Sequence, residues 1–391
     1  MFFTLQDVRM QPSNTTESTQ SKGLVVQWLF VALMIYLLLV AVGMIGSGFK
    51  WASGGAEGAR QLFAFATNPI MGLVAGALAT AVVQSSSTVT SVIVGLVAGG
   101  LPVATAIPMI MGANIGTTVT NTLVSMGHIG KKKEFRRAFS AATVHDFFNL
   151  MAVMIFLPLE IMTGFLAKGS DLLANLLVGG DTVSIKGFNF VKIITAPTVD
   201  LFKGLYGSLP DLWAGVCLAL TGLAFIFISI IYLGKLLKHL MVGKAKQILH
   251  KAVGRGPATG IFSGMMMTIA VQSSSTCTSL IVPLAGNGIF KLKEIYPFTL
   301  GSNIGTTITA LLAATAVQGA MGFFALQIAL VHLLFNVSAV LLIYTIPFLR
   351  NIPPRLARRF AQVASRNKWM VLVYVVGVFF ILPAILIAIT A

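Results

Sequence analysis

The sequence has almost no charge where it is most apolar. No Asp, Glu, Lys or Arg occurs between Gln61 and Gly130, from Gly256 to Phe290, or from Ile295 to Leu349. Only 10% of the 391 residues are charged, against 56% hydrophobic, and the mean hydropathy is +0.90. Each absence excludes a class of function. A proton relay uses intramembrane carboxylates and a voltage sensor uses arginines. The two cysteines, Cys217 and Cys277, both lie in apolar runs, so no disulfide framework is expected. No His/Cys set has the spacing of a metal site. A Ser-His-Asp hydrolase built on His145 and Asp146 lacks any nucleophile-elbow context around the serines, so no enzyme is expected.

Short segments of alternating polarity are also missing, which excludes a β-barrel. Repeated apolar runs of 18 or more residues take their place. They make this an all-α polytopic membrane protein, with the lipid bilayer as its surroundings. The net charge of +16 does not indicate a nucleic-acid partner, because the basic residues sit in short loops between apolar runs.

In chain order, residues 1–23 read as a disordered cytoplasmic tail and residues 24–48 as the first span. A first repeat follows at 49–166, an external segment at 167–211, and a span at 212–234. A second repeat occupies 235–349, a basic cytoplasmic linker 350–369, and a last span 370–391. Residues 68–101 are too long for one crossing and a little short for two, and the polar run Gln84 to Thr88 sits at their middle. They read as a re-entrant helical hairpin, whose tip is tolerated only where it lines a cavity or is buried in protein. Residues 257–288 read the same way. Each hairpin is followed by a transmembrane helix expected to be interrupted, at Gly112–Thr118 and at Gly301–Thr307. Loops placed inside hold 21 Lys and Arg and loops placed outside hold 6, so the two copies have inverted topology.

The repeat is explicit. Gln84-Ser85-Ser86-Ser87-Thr88 and Gln272-Ser273-Ser274-Ser275-Thr276 match, as do the segments from Gly112 to Thr118 and from Gly301 to Thr307. Gly72 with Gly76 answers Gly260 with Gly264, and His145 with Asn149 answers His332 with Asn336. What remains for chemistry is hydroxyls, amides, backbone groups and helix ends. Ser and Thr at a helix N-terminus suit an oxyanion. Gln, Ser and Thr oxygens suit Na⁺. An uncharged cavity holds an anion far more cheaply with cations beside it, and the mutual requirement is cotransport. Asn114 and Asn303 read either as ligands of the anion or as caps of broken helices. His145 and His332 read as packing groups, and Asp146 as an interfacial acid near the basic loop.

These residues resemble the type II sodium–phosphate cotransporter family, whose signature is a pair of QSSS hairpins followed by NIGT-type segments. The likeness runs from about residue 24 to 390, and the stretches Phe135 to Phe139 and Val144 to Phe148 share it. It implies Na⁺-driven import of inorganic phosphate by alternating access. Phosphate would be held by Ser85, Ser86, Ser87, Ser273, Ser274 and Ser275. One Na⁺ would be held by Gln272, Ser302, Thr306 and Thr309. The pseudo-symmetric Gln84, Ala113, Thr117 and Thr120 suggest a second, unequal site, since Ala113 stands where the second copy has a serine. The partners are phosphate and sodium ions, with no organic cofactor. Animal members carry a longer, disulfide-bearing loop between repeats, and electrogenic ones an Asp before the first hairpin, where the nearest acid here is Glu57. The expectation is a compact bacterial inner-membrane form with its N-terminus in the cytoplasm. The rival readings are a Na⁺ symporter for another oxyanion or a neutral polar solute, and a passive anion channel.

Overall fold

The computed structural model describes residues 14–55, 58, 68–117, 119–178, 189–252, 255–317 and 319–390. Arg9, Glu57, Arg60, Thr118, Asp181 and Lys186 lie outside them. Among the described residues the chain is helical throughout, with no strand. Among the described residues, six segments are long and apolar enough to cross a membrane: Val25–Ala52, Val103–His128, Lys132–Thr163, Asp211–Leu240, Met321–Tyr344 and Trp369–Leu386.

The first long helix, α1 (Asn14–Ala52), begins well inside the segment read as a disordered tail. It leads to a helix–tip–helix unit, α2 (Pro69–Val83) and α3 (Ser86–Ala98). Local chemistry sets these ends. Asn68 caps α2 by accepting from the Ile70 N–H at 2.9 Å, with Pro69 at the first helical position. At 15 and 13 residues, the helices are roughly 22 and 20 Å long, each short of a core of about 30 Å. Next come α4 (Val103–Gly116), α5 (Val119–Ser125), α6 (Lys132–Thr163) and α7 (Phe165–Val178).

After α8 (Asn189–Tyr206) and the 42-residue α9 (Asp211–Ala252), the pattern recurs. The second unit is α10 (Pro257–Val271) and α11 (Ser274–Gly286), followed by α12 (Leu292–Ala314) and α13 (Ala320–Ala339). The chain closes with α14 (Pro347–Arg350), α15 (Ile352–Arg366), α16 (Trp369–Val376) and α17 (Leu382–Thr390).

Small residues let each short pair lie against its following helix. A methyl group on Gly76 would strike the Met109 carbonyl oxygen, and one on Gly264 the Phe298 carbonyl oxygen. Gly112 against Leu73 and Gly301 against Ile261 repeat the relation from the other side. These are backbone-to-backbone approaches of the kind that hold helices together where lipid removes the hydrophobic drive. The central core mixes both copies, including Ile110, Met111, Phe148, Leu300, Phe335 and Ala339. Phe156 meets Phe335 edge to face, with ring centroids 5.9 Å apart.

Two expectations require correction, and a third gains detail. The second copy has no interruption, since α12 runs unbroken through Gly301–Thr307; in the first copy α4 ends at Gly116 and α5 begins at Val119, with Thr118 outside the described residues. Thr306 donates to the Ser302 carbonyl at 2.9 Å and Thr307 to that of Ile304 at 2.7 Å. Hydroxyls satisfied by the preceding turn need not break a helix. Segment 167–211, counted among the outside loops, is helical over much of its described length, as most of α7 and all of α8. Its α8 lies along α1 and α9, with Tyr36 bonded to Thr198 at 2.5 Å and Val199 and Phe202 packed with Val40, Met44 and Leu218. Its outer face exposes Ile193, Ile194, Leu201 and Leu205, which suits lipid rather than water. Asp146 does not reach the basic loop. It is 1% exposed and accepts from the Tyr374 hydroxyl at 2.9 Å.

Candidate functional site

The two tips are the same structure made twice. Gln84 ends α2 at φ 60°, and Gln272 ends α10 at φ 55°. They are the two non-glycine residues with positive φ among the described residues. A left-handed residue other than glycine costs on the order of 1 kcal/mol and is kept where surroundings hold it. The holding groups are visible. Gln84 Nε2 donates to the Ala81 carbonyl at 3.0 Å while its Oε1 accepts from Thr120 at 2.8 Å. Gln272 Nε2 donates to the Ile269 carbonyl at 2.7 Å while its Oε1 accepts from Thr309 at 2.9 Å. Each glutamine therefore ties its tip to the following helix.

The next residue in each copy caps a helix. Ser85 Oγ accepts from the Thr88 N–H, and Ser273 Oγ from the Thr276 N–H, both at 3.2 Å. The helices α3 and α11 thus begin at the tips, and their first N–H groups have no partner within their own helix. Both N-termini border one cavity of about 300 Å³, lined by residues 84–88 and 272–276. A third wall comes from α9: Phe227, Ile230, Ile231, Gly234, Lys235 and Lys238.

The cavity brings together Gln84, Ser85, Ser86, Ser87, Gln272, Ser273, Ser274 and Ser275. Thr120 and Thr309 stand behind it, reached through the glutamines. Thr117 and Thr306 are buried and donate to the carbonyls of Ala113, at 3.1 Å, and Ser302, at 2.9 Å. Ser302 shares a 2.6 Å hydrogen bond with Thr268. The corresponding pair in the first copy is Ala113 and Thr80, and there the buried Thr80 hydroxyl has no partner among the described residues. The substitution of alanine for serine at this place thus leaves an unsatisfied group in one copy alone.

Asn114 and Asn303 neither line the cavity nor cap a helix end. Each crosses to the other repeat. Asn114 donates to Asn336 at 2.8 Å and lies 3.2 Å from His332 Nε2. Asn303 donates to Asn149 at 2.7 Å and bonds His145 Nε2. Asn149 also donates to the Asn114 carbonyl at 2.8 Å, which links the two crossings. Both histidines are fully buried and bonded to these amides. That the four amides form one clasp between repeats goes beyond the sequence reading, as does the wall supplied by α9.

Taken together, a cavity bordered by two helix N-termini and six serines suits an oxyanion, and the glutamine and threonine oxygens behind it suit a small hard cation. Comparison with known proteins bears on this geometry. A family model described as Na⁺/Pi-cotransporter matches residues 37–179 and 225–346. A sodium-dependent phosphate transport protein 2A of Ovis aries is 35% identical over 97% of this chain and 70% of its own length. A 2A protein of Rattus norvegicus is 35% identical over 91% of this chain and 66% of its own length. A 2B protein of Homo sapiens is 34% identical over 89% and 63%. The chain thus spans about two thirds of the length of the relatives it matches. No solved structure matches it.

Proposed function

The chain belongs to the Na⁺/Pi-cotransporter family, and on that premise we propose that it carries inorganic phosphate into the cell with Na⁺. It is a transporter and not an enzyme. The observation that carries the reading is the meeting of two serine-capped helix N-termini in one cavity. Phosphate binds between them, on the N–H groups and hydroxyls of Ser85, Ser86, Ser87, Ser273, Ser274 and Ser275. Asn114 and Asn303 have no part in that set.

Na⁺ is held by Gln272, Ser302, Thr306 and Thr309, supported by the bond from Thr309 to Gln272 Oε1 at 2.9 Å, and a second, unequal site uses Gln84, Thr117 and Thr120. Each bound cation lowers the cost of placing the anion beside it, and the anion returns the favour by the same free energy. Coupling is then a property of the empty chamber, which discourages the anion alone. The short helices α2, α3, α10 and α11 form re-entrant hairpins of opposite sense, and alternating access exposes their tips to each side in turn. The basic helix ends face the cytoplasm of a bacterial inner membrane, with the N-terminus inside. Support for that orientation is the charge asymmetry, with 21 of the 27 Lys and Arg in segments that the sequence reading places inside.

The test is uptake of radiolabelled phosphate into proteoliposomes of the full chain, with Na⁺ or with choline outside. Uptake that collapses in choline is expected. Equal uptake in choline would make the protein a passive anion path, and no uptake in either would assign it another solute.

A further inference from the structure

We infer that Lys235 and Lys238 on α9 are anion-guiding residues that gather phosphate at the mouth of the cavity and hold Na⁺ off it. The inference rests on the reading of the cavity as the phosphate site. Along α9 the residues that line the cavity are Phe227, Ile230, Ile231, Gly234, Lys235 and Lys238. Their spacing of three and four places them on one helical face. That face changes character as it runs, from apolar to a glycine and then to two cations. Both lysines are exposed, so they stand at the rim and not inside. The Lys235 ammonium lies 5.2 Å from the centre of the Tyr232 ring, on the same helix.

Among the described residues no Asp or Glu lines the cavity, and Lys235 and Lys238 are the charged residues of its lining. A sphere of 300 Å³ is about 8 Å across, close to the Debye length of about 8 Å at physiological ionic strength. The rim charge is therefore felt at the serine tips. Low-dielectric walls concentrate such a field and raise the local density of the ion it attracts. Two positive helix ends below the rim carry the same sign. An anion entering from this side is drawn in, and a cation is repelled. This separates the two substrates by sign before either reaches its ligands.

A bland role for the pair is to anchor α9, with stems along apolar surface and ammonium heads in water. The two roles give different results. Wild-type protein and the double variants K235Q/K238Q and K235R/K238R would be placed in nanodiscs of zwitterionic lipid. Phosphate binding at one fixed, low Na⁺ concentration, and Na⁺ binding without phosphate, would be titrated at low ionic strength and at high ionic strength reached by adding choline chloride. At low ionic strength the glutamine variant is expected to bind phosphate about tenfold more weakly. It should bind Na⁺ more tightly, and its phosphate affinity should lose most of its salt dependence. The arginine variant should match wild type. Weakening of both ligands together, or a glutamine variant that behaves like wild type, would reduce the lysines to anchors and overturn the inference. A wild-type chain that binds no phosphate in Na⁺ would remove the reading of the cavity, and this inference with it.

Discussion

Thr309 donates its hydroxyl proton to Gln272 Oε1 at 2.9 Å, from the helix that follows the second tip. The bond holds a left-handed glutamine in place, and its acceptor is an oxygen that we assign to Na⁺. Replacing Thr309 by valine keeps the shape and removes the oxygen. A buried hydrogen bond is worth about 1 kcal/mol, a factor of about five in an equilibrium. Half-maximal phosphate uptake by Thr309→Val should therefore need about fivefold more Na⁺. An unaltered Na⁺ titration would take Thr309 out of the cation site.

Ser275 lines the cavity one residue into α11. Alanine there leaves the helix and its Ser273 cap intact and deletes one hydroxyl. Phosphate affinity of Ser275→Ala, measured at saturating Na⁺, should fall about tenfold or somewhat more, since a hydrogen bond to a charged group is worth about 1.5 kcal/mol or somewhat more. Unchanged affinity would show that the hydroxyl does not touch the anion.

Ala113 and Thr80 are where the two copies part company. In Ala113→Ser the new hydroxyl is positioned to bond Thr80, as Ser302 bonds Thr268 at 2.6 Å. Satisfying a buried orphan should raise stability in detergent by about 1 kcal/mol. It should also make the Na⁺ dependence of uptake steeper, by bringing the first cation set closer to the second. A melting temperature that falls, with the Hill slope unchanged, would refute the correspondence.

Gly301 approaches Ile261 so closely that an added methyl would meet its carbonyl oxygen. Helix backbone cannot retreat there as a side chain can. Gly301→Ala should cost about 1 to 3 kcal/mol through forced displacement of α10 from α12, read as a lowered melting temperature. Gly127, with nothing within 4 Å of an added methyl, is the control and should tolerate alanine.

Tyr374 gives the buried Asp146 a hydroxyl partner from the last long segment of the chain. Tyr374→Phe leaves that carboxyl oxygen unsatisfied, at a cost of about 1 to 3 kcal/mol. Thermal unfolding should shift down accordingly. A melting curve identical to wild type would mean that another group or water takes the place of the phenol.

Much of this architecture is legible in the sequence. A Gln-Ser-Ser-Ser-Thr run has no business in an apolar segment unless a cavity or a cap receives it, and here it finds both. The matched glycines announce their close approaches because few other residues allow them. Other features are invisible at that level. Phe227, Ile230 and Ile231 read as any membrane span, and Lys235 and Lys238 as the basic flank that such spans carry, so nothing marks α9 as a wall. The His and Asn pairs show themselves as a repeat, but their pairing across repeats is set by tertiary packing. Asp146 lies nine residues from Arg137 along the chain, yet helix rotation turns it inward to Tyr374. Within α12, Thr306 and Thr307 bond their own preceding turn, which composition does not reveal.

The two glutamines, at φ 60° and 55°, and the serines that follow them are equivalent to within a few degrees. A pair of tips so alike has no built-in arrow. Whichever face is open, the tips present the solute with the same groups, so the ion gradient decides which way traffic runs. With the sodium gradient reversed, the same molecule would empty a vesicle of phosphate as readily as it fills one.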